Sequence, residues 1–160
     1  MSKTVIQEIS GSVSQITLNR PDSLNAIDHV LASELREEIL SAEMNKEVRC
    51  VVLKGAGAAF MAGGDIRAFS ERIGNGVDRY MLDLTHDLHD AIIAIRRMPK
   101  PVLASVHGAA AGAGFSIAMA CDMIIAAEDS TFTLAYSVLG VSPDGSSTHS
   151  LPRLIGYHQA

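Results

Sequence analysis

Apolar and polar positions change period along this chain, and each change predicts an element. Val5, Ile6 and Ile9 in residues 3–9, and Val13, Ile16 and Leu18 in residues 13–19, flank Ser10-Gly11-Ser12, the pattern of a β-hairpin. Asn19-Arg20-Pro21-Asp22-Ser23-Leu24-Asn25-Ala26 is rich in turn formers and predicts a loop. From Asp28, an N-cap residue type, the period lengthens. Leu31, Leu35, Ile39 and Ala42 share one face of a helix predicted to reach about Asn45. Arg49 to Gly55 reads as a buried strand, Gly55 to Gly64 as a Gly/Ala-rich loop, and Ile66–Arg72 as a short helix. After Gly74-Asn75-Gly76, the stripe Tyr80, Leu84, Leu88, Ile92, Ile95 predicts a long helix from Val77 to Arg97, stopped by Met98-Pro99-Lys100-Pro101.

The strand Pro101–Val106 then runs into His107-Gly108-Ala109-Ala110-Ala111-Gly112-Ala113-Gly114, which opens an apolar helix through Phe115-Ser116-Ile117. Strands at Met123–Ala127 and Thr131–Leu134, a turn at Ser142-Pro143-Asp144-Gly145 and a helix near Ser146–Ile155 complete the pattern. Strands alternating with helices after an initial hairpin predict one α/β domain with a mainly parallel sheet.

Composition narrows the partners. With 4% aromatic residues and no Trp, the core must be built from Val, Ile, Leu, Ala and Met. A net charge of −5 without a basic block argues against nucleic-acid or anionic-membrane partners. Cys50 and Cys121 lie in apolar patterns, as expected of reduced thiols in a cytoplasmic protein. No basic segment followed by a long apolar core marks a secretory signal. The longest apolar stretch, Ala109 to Ala127, is broken by Gly112, Gly114, Ser116 and Asp122.

The bare run at 107–114 is the chief chemical candidate. Residues with almost no side chain between a strand and a helix allow close approach to the backbone, and a helix start offers unpartnered N–H groups. Such a turn cradles an anion or polarised oxygen, or simply lets two elements touch. A second bare loop, Ala62–Asp65, also follows a strand and opens a helix. If the two converge, their N–H groups form a two-donor oxyanion hole able to stabilise an enolate.

Gly55 and Gly57 imitate a dinucleotide fingerprint, but Phe60 stands where the third glycine belongs. Asp144 reads either as an N-cap or turn residue or as an acid–base group. Asp65 reads as a helix-start residue. His86 and His89 share a helix face beside Asp83, Asp87 and Asp90; no third ligand is fixed by spacing, so no metal is expected. Neither Gly-x-Ser-x-Gly nor His-Glu-x-x-His occurs.

Taken together, several segments resemble the enoyl-CoA hydratase/isomerase (crotonase) family. They are Ile16-Thr17-Leu18-Asn19-Arg20-Pro21 with Asn25-Ala26, Gly55-Ala56-Gly57 with Phe60-Met61-Ala62-Gly63-Gly64-Asp65-Ile66, and Pro99-Lys100-Pro101-Val102. The run His107 to Asp122 follows, then Leu139-Gly140-Val141-Ser142-Pro143-Asp144-Gly145 with Leu151-Pro152-Arg153-Leu154-Ile155-Gly156. The resemblance implies a crotonase-type spiral of ββα units and an acyl-CoA thioester substrate, with coenzyme A as part of that substrate and no separate cofactor.

By position it also implies oxyanion donors at the N–H groups of Gly64 and Ala113. Asn25, Ala26 and Ile27 would line the CoA channel, and Ala62, Asp65 and Ile66 would meet the adenine. Ser116 and Tyr136 would shape the acyl pocket, Gly112 and Val141 would also bind substrate, and His89 would orient water or substrate. Family hydratases carry glutamates where this chain has Ser116 and Tyr136, which are poor bases near neutral pH. Asp144 matches the working aspartate of isomerases similar to those of phenylacetate pathways.

The expected activity is therefore a double-bond shift in an enoyl-CoA through Asp144. The alternatives are a hydratase, an activity like that of 4-chlorobenzoyl-CoA dehalogenases, or a non-catalytic acyl-CoA-binding module. The family continues past Gly156 into a C-terminal helical region, so residues 1–160 read as a single core domain lacking most of that region. The family also implies a homo-oligomer, a trimer or hexamer.

Overall fold

The computed structural model describes residues 3–160. The hairpin forms where its alternation places it. Strands β1 (Val5–Ser10) and β2 (Val13–Leu18) pair antiparallel with Val5 opposite Leu18. Helix α1 (His29–Met44) starts at Asp28, whose carboxylate accepts the Leu31 N–H at 2.8 Å. Its stripe of Leu31, Leu35, Ile39 and Ala42 is fully buried.

The carbonyls at the other end of α1 would lack partners. Lys100 supplies them, donating from Nζ to the carbonyls of Ala42, Glu43 and Asn45 at 2.6, 2.9 and 2.6 Å, where a cation also complements the helix dipole. The lysine flanked by Pro99 and Pro101 thus ties the segment before Val102 to the end of α1.

Strand β3 (Cys50–Gly55) joins β2 in parallel; β4 (Val102–Val106) and β6 (Met123–Ala126) extend the sheet to the order β1-β2-β3-β4-β6. Between β3 and β4 lie a short helix, α2 (Ile66–Ser70), and the long helix α3 (Val77–Arg97), which packs along α1. Leu84, Leu88, Ile92 and Ile95 of α3 are buried. Tyr80 pins this layer: its hydroxyl accepts the His29 N–H at 3.0 Å, and the Arg72 guanidinium lies 4.1 Å from its ring centre.

The bare run departs from the sequence expectation. Only part of it is a turn, because Ala109–Ala111 is a strand, β5, paired in parallel with β7 (Thr131–Thr133) and bridged through Ala110 to Met61. The Ala111 N–H donates to Met61 O at 2.9 Å and the Met61 N–H to Ala109 O at 3.0 Å. Methyl side chains let this second layer lie close on its neighbours.

The chain therefore repeats one unit. A strand enters the main sheet, a short segment enters the small layer, and a helix follows: β3, Met61 and α2–α3; β4, β5 and α4 (Ala113–Ala120); β6, β7 and the last helices. This is the expected ββα spiral. The last helices are α5 (Tyr136–Leu139), absent from the periodicity reading because four residues carry no period, and α6 (Ser147–Ile155). No helix among the described residues is long and apolar enough to cross a membrane. Both cysteines are free, and burial pushes the Cys121 thiol up to about 12.

Candidate active site

The two bare loops meet. The Cα atoms of Gly63 and Gly112 lie against one another: a Cβ on Gly112 would stand 3.6 Å from the Gly63 Cα. Gly112 has φ 49° and ψ −120°, a conformation open to glycine and strained for other residues. It turns the chain from β5 into α4.

Several N–H groups near the Gly64 and Ala113 donors are engaged. Ile27 donates to Gly63 O at 2.7 Å, Asp65 to Ile27 O at 2.9 Å, and Gly112 to Thr133 O at 2.9 Å. Among the described residues, the N–H groups of Gly64 and Ala113 have no acceptor. Both residues line one cavity of ≈ 250 Å³, whose lining also includes Phe69, Met81, Leu84 and Leu88. Unpartnered donors at the edge of an apolar cavity suit an oxygen that gains negative charge, since low polarity strengthens each hydrogen bond.

Asp144 lines the same cavity. It is no helix cap: α6 begins after Ser146 without a side-chain cap, and only the Asp144 carbonyl accepts from Ser147, N–H at 3.1 Å and hydroxyl at 2.8 Å. Its carboxylate instead accepts the Tyr136 hydroxyl at 2.7 Å through Oδ1, while Oδ2 lies 3.4 Å from His89 Nε2.

Gly145 makes this approach feasible. A Cβ there would come within 2.7 Å of the Ser116 side chain and 3.0 Å of Ile92, so a larger residue would push the turn off α3 and α4. Ser116, 1% exposed, stands behind Tyr136 with its Oγ 3.1 Å from the phenol oxygen. Burial raises the Tyr136 phenol well above its ordinary value, so it stays a hydrogen-bond donor and cannot serve as a base.

Other positions fall differently. Ile27, Ala62, Ile66, Gly112, Tyr136 and Val141 border the cavity. Asn25 does not: its fully buried amide donates to the carbonyls of Ala56, Ala59 and Phe60 at 2.9, 2.8 and 3.2 Å, bracing the loop after β3. The Ala26 carbonyl accepts from Arg20 Nη1. Asp65 caps α2 through the Ala68 N–H at 3.2 Å and pairs with Arg20 at 2.9 Å, so its side chain also serves the scaffold. His86 and His89 gather no third ligand; no cluster of three or more His, Cys, Asp or Glu occurs among the described residues.

Arg20 is the residue that periodicity did not single out. It links Asp65, Asp28 and Ala26, fastening the loop that carries Gly64 to the start of α1. In the sequence it stands beside Pro21 in a turn and within the family-like segment Ile16–Pro21, neither of which assigns it this role.

Burial works to raise the Asp65 carboxyl, but the Ala68 N–H and Arg20 outweigh it and hold it below its ordinary 3.8. A depressed folded value contributes stability above the unfolded value, and that stability is lost as pH falls through the folded one. Asp65→Asn, which keeps the cap but removes the charge facing Arg20, is therefore expected to destabilise the chain at pH 7 by at most about 1 kcal/mol and to blunt its loss of stability below about pH 4. Melting curves across that range check this; parallel curves for the two proteins would contradict it.

Comparison with known proteins agrees with this architecture. Residues 8–160 match the family model described as enoyl-CoA hydratase/isomerase. The 1,2-epoxyphenylacetyl-CoA isomerase of Escherichia coli is 34% identical over 100% of this chain and 61% of its own length. A probable enoyl-CoA hydratase of Mycobacterium tuberculosis is 36% identical over 95% of this chain and 58% of its own. Among solved structures, a putative enoyl-CoA hydratase/isomerase from Mycobacterium abscessus superposes with a TM-score of 0.91 at 30% identity, covering 97% of this chain and 60% of that one. The chain thus spans about three fifths of the length of these relatives.

Proposed function

Because the chain belongs to the enoyl-CoA hydratase/isomerase family, we propose that it binds an unsaturated acyl-CoA thioester and moves its double bond by proton transfer through Asp144. The observation that carries this reading is the convergence of Gly64, Ala113 and Asp144 on one cavity. The thioester oxygen sits at the Gly64 and Ala113 N–H groups, which receive the charge that develops as the carbon beside the carbonyl loses its proton. Asp144 takes that proton and returns it to a more distant carbon. One carboxylate suffices, because acid and base act in sequence rather than together.

The apolar wall of Phe69, Met81, Leu84 and Leu88 selects an acyl group without charge. Ser116 and Tyr136 supply no second carboxylate, which weighs against water addition by a pair of acids. Purified chain incubated with β,γ-unsaturated and α,β-unsaturated acyl-CoAs, with isomer and hydration product measured separately, tests the reading. Isomer as the dominant product supports it. Hydration alone, or thioester binding without turnover, rejects it in favour of a hydratase or a binding module.

Tyr136 fixes the aim of the carboxylate. Tyr136→Phe removes the 2.7 Å hydrogen bond to Asp144 and little volume, so kcat is expected to fall roughly tenfold, as for a lost hydrogen bond to a charged group. KM moves less. Steady-state kinetics check this, and an undiminished kcat would show that the carboxylate needs no such support.

A further inference from the structure

We propose that His89 is the port through which the proton held by Asp144 exchanges with water, an inference that rests on the proton-transfer reading above. It starts from the unequal surroundings of the two carboxylate oxygens. Oδ1 is held by the Tyr136 hydroxyl at 2.7 Å. Behind that hydroxyl lies Ser116 Oγ, 3.2 and 3.3 Å from the carbonyls of Gly112 and Asp144. Carbonyls only accept hydrogen bonds, and Ser116 is 1% exposed. Beyond the half-buried Tyr136, that side of the carboxylate ends on groups that only accept.

Oδ2 is the oxygen left to carry the substrate proton, and it faces His89 Nε2 at 3.4 Å, with the imidazole side chain 44% exposed. This distance is long for a charge-assisted hydrogen bond, so the two groups do not form a locked pair. It is within reach of a proton hop after a small side-chain rotation or across one water. Imidazole suits the task, since it readily both takes up and gives up a proton at a ring nitrogen.

The sequence of steps balances. The C–H bond beside the thioester breaks, its electron pair becomes the enolate, and the proton bonds to Oδ2. The Nε2 lone pair of His89 takes that proton, giving an imidazolium; the exposed ring turns its Nε2–H away from the carboxylate and that proton passes to water. The freed Nε2 lone pair then takes a solvent proton and delivers it to Oδ2. The O–H bond then breaks as a new C–H bond forms at the distant carbon. Asp144 lines the cavity and its side chain is itself 31% exposed; with an acyl group filling that cavity, His89 is the remaining route by which its proton meets solvent.

Turnover of a β,γ-unsaturated acyl-CoA in deuterium oxide, with product analysed by mass spectrometry at low and equal conversion, separates the two situations. The wild-type product is expected to carry mainly solvent deuterium. His89→Gln is expected to turn over several-fold more slowly and to lower the deuterium content of its product by about fivefold or more. Free imidazole added to the variant should restore the label. Equal deuterium content from the two proteins would overturn the role of His89 while leaving the isomerase reading intact. A wild-type chain that does not isomerise, or an Asp144→Asn chain that does, would remove the isomerase reading and this role with it.

Discussion

Asp144→Asn is expected to lower turnover by about three orders of magnitude while leaving acyl-CoA affinity within a few-fold of wild type. The variant keeps the shape of the site. An amide oxygen still accepts the Tyr136 hydroxyl, and the backbone carbonyl still accepts from Ser147. What disappears is the ability to take up and return a proton. The two backbone donors and the apolar wall remain, so binding survives. The measurement is kcat beside a direct binding titration with a thioester. Turnover close to wild type would reject Asp144 as the acid–base group, and an equal loss of binding would recast it as a contact for the ligand.

Gly114→Ala is expected to cost about 3 kcal/mol of stability, as severe overpacking does, and so to lower Tm by roughly 6–12 °C. An added Cβ at this second residue of α4 would sit 2.5 Å from Met61 O and 2.7 Å from Met61 Cβ. The carbonyl cannot swing aside freely, because it accepts the Ala111 N–H at 2.9 Å. Relief therefore comes from moving α4 away from the Met61 segment. That movement separates the Ala113 N–H from the loop bearing Gly64, so turnover should also fall about a hundredfold, the scale of losing one oxyanion donor. Thermal melting and kcat/KM are the two readouts. A stable variant with unchanged kcat/KM would mean that the two loops need not touch to work.

The contrast between Asp65 and Asp144 shows how far residue patterns reach. Both are aspartates in glycine-containing turns ahead of a short helix, and local spacing gives both the same reading. For Asp65 that reading holds, since its carboxylate accepts the Ala68 N–H. For Asp144 it fails, because Tyr136 and His89 draw the carboxylate toward the cavity. The partners lie 8 and 55 residues away, beyond any periodicity. Asn25 is the reverse case: motif position suggested a channel residue, and the fold uses it as an interior brace.

Taken alone, the sequence determined the elements whose cause is local. The stripe of α3, the cap of α1, the hairpin and the parallel strand pattern follow from repeating apolar residues and from capping and turn chemistry, which act within a few residues. Its ordered motifs also identified the family, because many short matches in the right order are jointly specific. Tertiary structure alone decided that two bare loops some fifty residues apart face one cavity, that Ala109–Ala111 is a strand, and that Asp144 faces a donor on one side and an imidazole on the other. Those outcomes depend on where the spiral brings distant backbone together, and the alanines and glycines involved have almost no side chain with which to announce it.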